Sequence, residues 1–202
     1  MSEKHLKLMI PGPVQPDDNV LEAMGQPVRP HYGPEWRDYY NQTIDLLKQV
    51  FETTRSAFLM VGSGSAAIDA CVGSALSSGE KILVGINGFF GERARAIAEG
   101  YGLKVVPVIR PWGEPLQPSD FVEALNAHPD ARMVAVVHLE TSTTIINPVA
   151  EIGQVTRDFG VAFFVDAVSS LGGLPFHMDK WGIDLCASCS QKCLGAPPGL
   201  AP

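Results

Sequence analysis

No stretch of this sequence is long and apolar enough to act as a signal peptide or to cross a membrane. Its start, MSEKHLKLMIPGP, mixes lysine, glutamate and proline into the apolar residues. A cytoplasmic protein with reduced thiols is therefore the expectation. Basic residues are also scarce, with 15 Lys and Arg against 22 Asp and Glu and a net charge of −7. Neither nucleic acid nor an anionic membrane is expected as the main partner, although local loops can still bind small anions. Cysteine is limited to four residues. Three of them, Cys186-x-x-Cys189-x-x-x-Cys193, imitate metal-ligand spacing but lack a nearby fourth ligand, so buried thiols and no metal are expected. His138 has no second histidine at ligand spacing and reads as a satisfied strand-end histidine. Repeats and low-complexity tracts are absent. What remains is a 202-residue chain, 46% hydrophobic, with the composition of one globular domain.

Residues 1–33 are turn-rich, with PGPVQP and QPVRPHYGP, and read as an N-terminal extended segment ahead of a domain over 34–202. Helical spacing starts at Pro34 and runs through Trp36, Tyr40, Ile44, Leu47 and Phe51. Apolar runs at 57–61, 81–86, 103–109, 132–139, 161–167 and 183–188 then alternate with helix-length segments near 66–77, 90–101, 118–127 and 148–159. Near-continuous apolar strands alternating with helices predict an α/β fold: a mainly parallel sheet with helices on both faces. Pro107 places its strand at an edge or a bulge.

Sheets of this kind bind ligands beyond the carboxyl ends of their strands. That rim carries Gly62-Ser63-Gly64-Ser65, then Asn87-Gly88-Phe89-Phe90, then His138 to Thr143, then Asp166, then Ser190-Gln191-Lys192. The first turn opens a helix, where free N–H groups and serine hydroxyls favour a phosphate. Gly62-x-Gly64-x-x-Ala67 also matches a dinucleotide fingerprint, but the next strand ends in Asn87-Gly88 without the acid that would hold a ribose. A plain tight turn is the remaining reading of that loop. Asp166 ends a very apolar strand, where an unpartnered carboxylate is costly. It reads as a turn or cap residue or as the partner of a cationic ring nitrogen. Lys192 is a strand-end surface lysine or a partly buried amine able to form a Schiff base. Phe89 and Phe90 are core packing or a stacking face. Thr141, Ser142 and Thr143 are a solvated turn or hydroxyl donors, and the role of Glu140 stays open.

Taken together, these elements resemble a pyridoxal 5′-phosphate enzyme. More narrowly, the chain resembles the class V aminotransferases of fold type I, in the alanine/serine–glyoxylate (or pyruvate) group. The matching segments are PGP, GSGSAAIDA, VGINGFFGER, ETSTTIINPV, FFVDAVSSLGG, GID and SQKCLGAPPGL, in family order along essentially the whole chain. The resemblance implies that Lys192 forms the internal aldimine and shuttles a proton, and that Asp166 keeps the pyridine nitrogen protonated. Ser63, Gly64 and Ser65 would contact the phosphate, with Gln191 nearby. Phe90 falls where the family often has a stacking tryptophan, and Thr141 where a hydroxyl bonds the phenolic oxygen. Two residues depart from the pattern: Ser65 stands where some relatives have histidine, and Thr144 where STG is usual.

The implied reaction is a two-half-reaction transamination between a small amino acid and a 2-oxo acid, in a homodimer. Other class V activities are the alternatives within the same chemistry: pyridoxamine–pyruvate or phosphonate transamination, and desulfuration, which Gln191 before the lysine disfavours. A nucleotide-binding module and an inactive fragment serving as an interaction domain are the alternatives outside it. The resemblance further implies relatives nearly twice as long, with a C-terminal small domain that carries the arginine gripping the substrate carboxylate. On that basis the 202-residue chain is expected to be an incomplete large domain, destabilised and poorly active alone.

Overall fold

The computed structural model describes residues 8–202, so the first seven residues of the expected N-terminal segment lie outside the described residues. Within the rest of that segment a short helix, α1 (Asp18–Met24), replaces extended chain. None of its residues is buried, so it offers no apolar stripe to read; its sequence signals are Asp17 and Asp18 at one end and Gly25 at the other. The long helix α2 (Gly33–Phe51) begins with proline in its first turn and ends on a left-handed Glu52.

The chain then continues through β1 (Met60–Gly62), α3 (Gly64–Ala75), β2 (Lys81–Ile86), α4 (Phe89–Gly100) and β3 (Lys104–Ile109). After these come α5 (Pro118–Ala127), β4 (Ala131–Val137), β5 (Leu139–Glu140), β6 (Ile145–Ile146) and α6 (Val149–Phe159). The last elements are β7 (Ala162–Asp166), α7 (Met178–Trp181), β8 (Leu185–Ala187) and β9 (Gly199–Ala201). Five strands form a parallel sheet in the order β3-β2-β4-β7-β8. The expected α/β architecture is what forms, and Pro107 lies on the edge strand β3, paired only with Val84 of β2.

Alternation along the central strands explains the layers. Leu83, Val134, Val136, Phe163 and Val165 pack on one face with Phe121 and Leu125 of α5 and Val149 and Ile152 of α6. Ile82, Val84, Ile86, Met133, Ala135 and Phe164 pack on the other face with Ala67, Ile68 and Val72 of α3 and Ala94 and Ala98 of α4. A strand buried on both faces has no polar side to show, which is why these runs read as continuously apolar.

One detail differs from the expectation. The run at 57–61 becomes strand only at Met60–Gly62, and it pairs antiparallel with β9 rather than joining the parallel sheet. That partner strand lies within the segment Gly195–Pro202. Backbone bonds from Ser188 N to Pro202 O (2.8 Å) and from Ser190 N to Leu200 O (2.9 Å) join β9 to the exit of β8. The lysine turn is thereby held between β8 and β9. Among the described residues no helix is long and apolar enough to cross a membrane.

Candidate active site

Ser63 caps α3 in an extended conformation, and its side chain makes no capping bond. Its carbonyl accepts from Ala66 N (2.8 Å) and Ala67 N (3.3 Å), while the N–H groups of Gly64 and Ser65 enter none of the described hydrogen bonds. Unpaired N–H groups at a helix start form an anion site. The turn is pressed against the chain leaving β7 and β8: a Cβ at Gly64 would fall 2.6 Å from Val168 Cγ2 and 3.3 Å from Cys189 Cβ.

Asp166 ends β7 and is only 3% exposed. Val168 N donates to its Oδ1 (2.9 Å), and no cationic side chain pairs with it among the described residues. Burial pushes its pKa up to about 6; the Glu140 charge adds to the rise, while the Val168 N–H, Arg93 and Lys192 oppose it. A buried acid of this kind lacks a cation that would keep it ionised.

Glu140 is fully buried and saturated with donors: Phe90 N (3.0 Å), Gly91 N (3.1 Å), Ser142 N (3.1 Å) and Ser142 Oγ (2.6 Å). It caps α4 from the neighbouring β5 and fixes the half-buried Phe90 relative to the turn that carries Thr141. Phe89, 52% exposed, meets Phe90 edge-on with centroids 5.4 Å apart. The Thr141 hydroxyl donates to Ser169 Oγ (2.6 Å), just past Asp166. Thr144, where the family pattern has glycine, adopts φ 60°, a left-handed conformation that is strained for a β-branched residue.

Lys192 is half-buried. Its Nζ donates to the carbonyl of Pro11 (2.9 Å), and the neighbouring Gln191 carbonyl accepts from Val14 N (3.0 Å). Gln191 Oε1 is buried without a partner, leaving an amide that can turn either end toward a polar ligand. Ser190 anchors the turn, donating to Pro197 O (2.6 Å) and accepting from Leu200 N (3.3 Å).

The rim residues singled out from sequence thus gather at one edge, tied together through Gly64, Val168, Cys189, Ser169 and Glu140. Other candidates fall away. His138 is buried, with Nδ1 3.0 Å from Ser170 Oγ and burial pushing its pKa down to about 4, as suits a satisfied strand-end histidine. Burial raises the thiol pKa values of Cys186 and Cys189, whereas Cys193, against the expectation of a buried thiol, is exposed on the lysine turn; no group of metal-binding side chains occurs among the described residues. An apolar groove of about 340 Å³, lined in part by Phe58, Cys71, Leu185 and Ala201, includes none of the rim residues. Sequence reasoning missed the placement of Pro11–Val14 against the lysine turn and the helix-capping role of Glu140. The first had a signal, the PGP motif; the second joins residues about fifty positions apart and had none.

Comparison with known proteins decides the family. Residues 20–201 match the family described as Aminotransferase class-V. The chain belongs to the class V aminotransferases. An uncharacterized aminotransferase of Methanocaldococcus jannaschii is 43% identical over 96% of this chain and 50% of its own length. The crystal structure of ureidoglycine–glyoxylate aminotransferase from Bacillus subtilis superposes with a TM-score of 0.93 at 36% identity, covering 96% of this chain and 50% of that one. An alanine–glyoxylate aminotransferase from Nostoc sp. gives a TM-score of 0.90 at 36% identity, over 97% and 52% of the two chains. This class V chain spans about half the length of the relatives it matches. Class V aminotransferases depend on pyridoxal phosphate.

Proposed function

We propose that this chain binds pyridoxal 5′-phosphate and carries the cofactor machinery of a transaminase acting between a small amino acid, alanine or serine, and a 2-oxo acid, glyoxylate or pyruvate. The observation that carries the reading is Asp166, a buried carboxylate with no cationic partner, on the same rim as Lys192 and the free N–H groups of α3. The residues present fit the cofactor: Asp166 has no cationic side chain paired with it, Gln191 has an orphaned buried oxygen, and α3 offers free N–H groups at its start. When bound, pyridoxal phosphate supplies an electrophilic carbonyl and an electron-withdrawing ring.

In this reading Ser63, Gly64 and Ser65 would hold the phosphate through N–H and hydroxyl donors, with the Gln191 amide N–H as a further donor. Asp166 would partner the ring nitrogen, whose positive charge would draw the Asp166 pKa back down and keep the carboxylate ionised. Phe90 would provide an apolar face for the ring without the N–H donor that an indole would add. Thr141 would donate to the phenolic oxygen in place of Ser169. Lys192 Nζ would anchor the cofactor and would carry a proton to and from the substrate α-carbon.

The working form is a homodimer, in keeping with the exposed apolar side chains Tyr39, Leu46 and Val50 on α2. Single-turnover mixing of the cofactor-loaded chain with individual amino acids tests the substrate class. Whatever turnover occurs should be faster with alanine or serine, which give their 2-oxo acids, with glyoxylate or pyruvate restoring the starting spectrum. A faster loss of the starting spectrum with 2-aminoethylphosphonate or pyridoxamine than with alanine or serine contradicts the proposal.

A further inference from the structure

The N-terminal segment is far in sequence from the lysine turn but lies directly on it. Pro11 O accepts from Lys192 Nζ (2.9 Å), Val14 N donates to Gln191 O (3.0 Å), and Gly12 lies between these two bonds. A Cβ built on Gly12 would fall 2.5 Å from Lys192 Cδ and 2.9 Å from both Cε and Nζ. Gly12 also has φ 140°, which side-chain-bearing residues rarely adopt. The lysine stem therefore occupies the space a side chain at position 12 would need.

We propose that Pro11–Val14 is a positioning strap for Lys192. The Pro11 carbonyl holds the amine nitrogen, the missing side chain at Gly12 makes room for the stem, and the Val14–Gln191 bond fixes the strap in place. Prolines at positions 11 and 13 restrict its backbone, so the carbonyl is presented with little conformational freedom left to lose. The atoms a side chain at position 12 would strike are the far end of a flexible side chain. Disturbing the strap thus displaces the lysine and leaves the sheet and its two cores alone.

The bond to Pro11 O ties up the amine, which must give it up in order to react. Loss of one hydrogen bond of this type corresponds to roughly a fivefold change in availability of the amine, the equivalent of about 1 kcal/mol. The functional weight of the strap rests on Lys192 being the cofactor lysine, but its geometry does not.

The test is trace acetylation of the cofactor-free 202-residue chain with acetic anhydride, with the rate read lysine by lysine by mass spectrometry. Val14→Pro removes the N–H that anchors the strap, Val14→Ala keeps it, and Gly12→Ala adds the intruding carbon. Lys192 should react roughly fivefold faster in Val14→Pro and Gly12→Ala than in the wild type. Val14→Ala should match the wild type, and the exposed Lys104 should react alike in all four chains. Circular dichroism checks the fold; if Val14→Pro fails it, Gly12→Ala, which acts at a different atom, decides. Equal Lys192 rates in wild type and Gly12→Ala, or a rise in Val14→Ala as large as in Val14→Pro, overturn the strap. Borohydride trapping of pyridoxal phosphate at Lys192 is read separately. Trapping without the rate differences leaves the cofactor reading standing and removes the strap; the rate differences without trapping do the reverse.

Discussion

Glu140 Oε2 accepts a hydrogen bond from Phe90 N (3.0 Å), so a single buried carboxylate joins the start of α4 to the turn that carries Thr141. The same group also accepts from Gly91 N, Ser142 N and Ser142 Oγ. Replacing it with alanine leaves two helix N–H groups buried without acceptors. Glu140→Ala should therefore lose ~3 kcal/mol of stability in urea denaturation. A loss under ~1 kcal/mol would mean that water replaces the carboxylate and that the cap is dispensable.

Asp166 and His138 should pull stability in opposite directions over the same pH range in the cofactor-free chain. The Asp166 pKa is raised from 3.8 to about 6, so the fold binds its proton more tightly than the unfolded chain does. The stability this gives is present below about pH 4 and is lost as pH rises through 6. The His138 pKa is lowered from 6.5 to about 4, so its contribution is present above 6.5 and lost as pH falls through 4. Each amounts to ~3 kcal/mol, and the two largely offset. Asp166→Asn should leave the histidine slope alone, so that the stability of the variant relative to wild type rises between about pH 4 and pH 6. A constant difference between wild type and Asp166→Asn across that range would show that Asp166 titrates as an ordinary exposed acid.

Thr144 holds a left-handed conformation at φ 60°. Such a conformation costs a side-chain-bearing residue ~1–2 kcal/mol, of which glycine returns ~0.5–1 through its freer unfolded chain. Thr144→Gly should thus gain ~0.5–1 kcal/mol, seen as a higher denaturation midpoint. A loss of stability would show that the bond from Thr144 Oγ1 to Thr143 O (2.7 Å) outweighs the backbone strain.

The layered sheet was legible because the central positions of β2, β4 and β7 are buried on both faces, and their polar residues Lys81, Arg132 and Asp166 fall only near the strand ends. The helices over them were legible from their length and from the turns between them. Helix α1 was not, since none of its residues is buried and no apolar period marks it. Strand β9 spans only three residues, Gly-Leu-Ala, and exists because Met60–Gly62 offers it a partner. The candidate site divides in the same way. Ser63, Asp166 and Lys192 could be read because each lies at a strand exit. The strap over Lys192 and the Glu140 cap depend on contacts across 181 and about 50 residues of chain, which no local pattern encodes.

The central claim is that this rim holds pyridoxal phosphate with Lys192 as its anchor. Loading the purified chain with pyridoxal phosphate, reducing with borohydride and mapping the modified peptide tests it most directly. The account predicts modification at Lys192, together with loss of the visible absorbance of the bound cofactor, and weaker retention of the cofactor in Asp166→Asn. A folded chain left unmodified at Lys192, or modified to the same extent at Lys81 and Lys104, would contradict it.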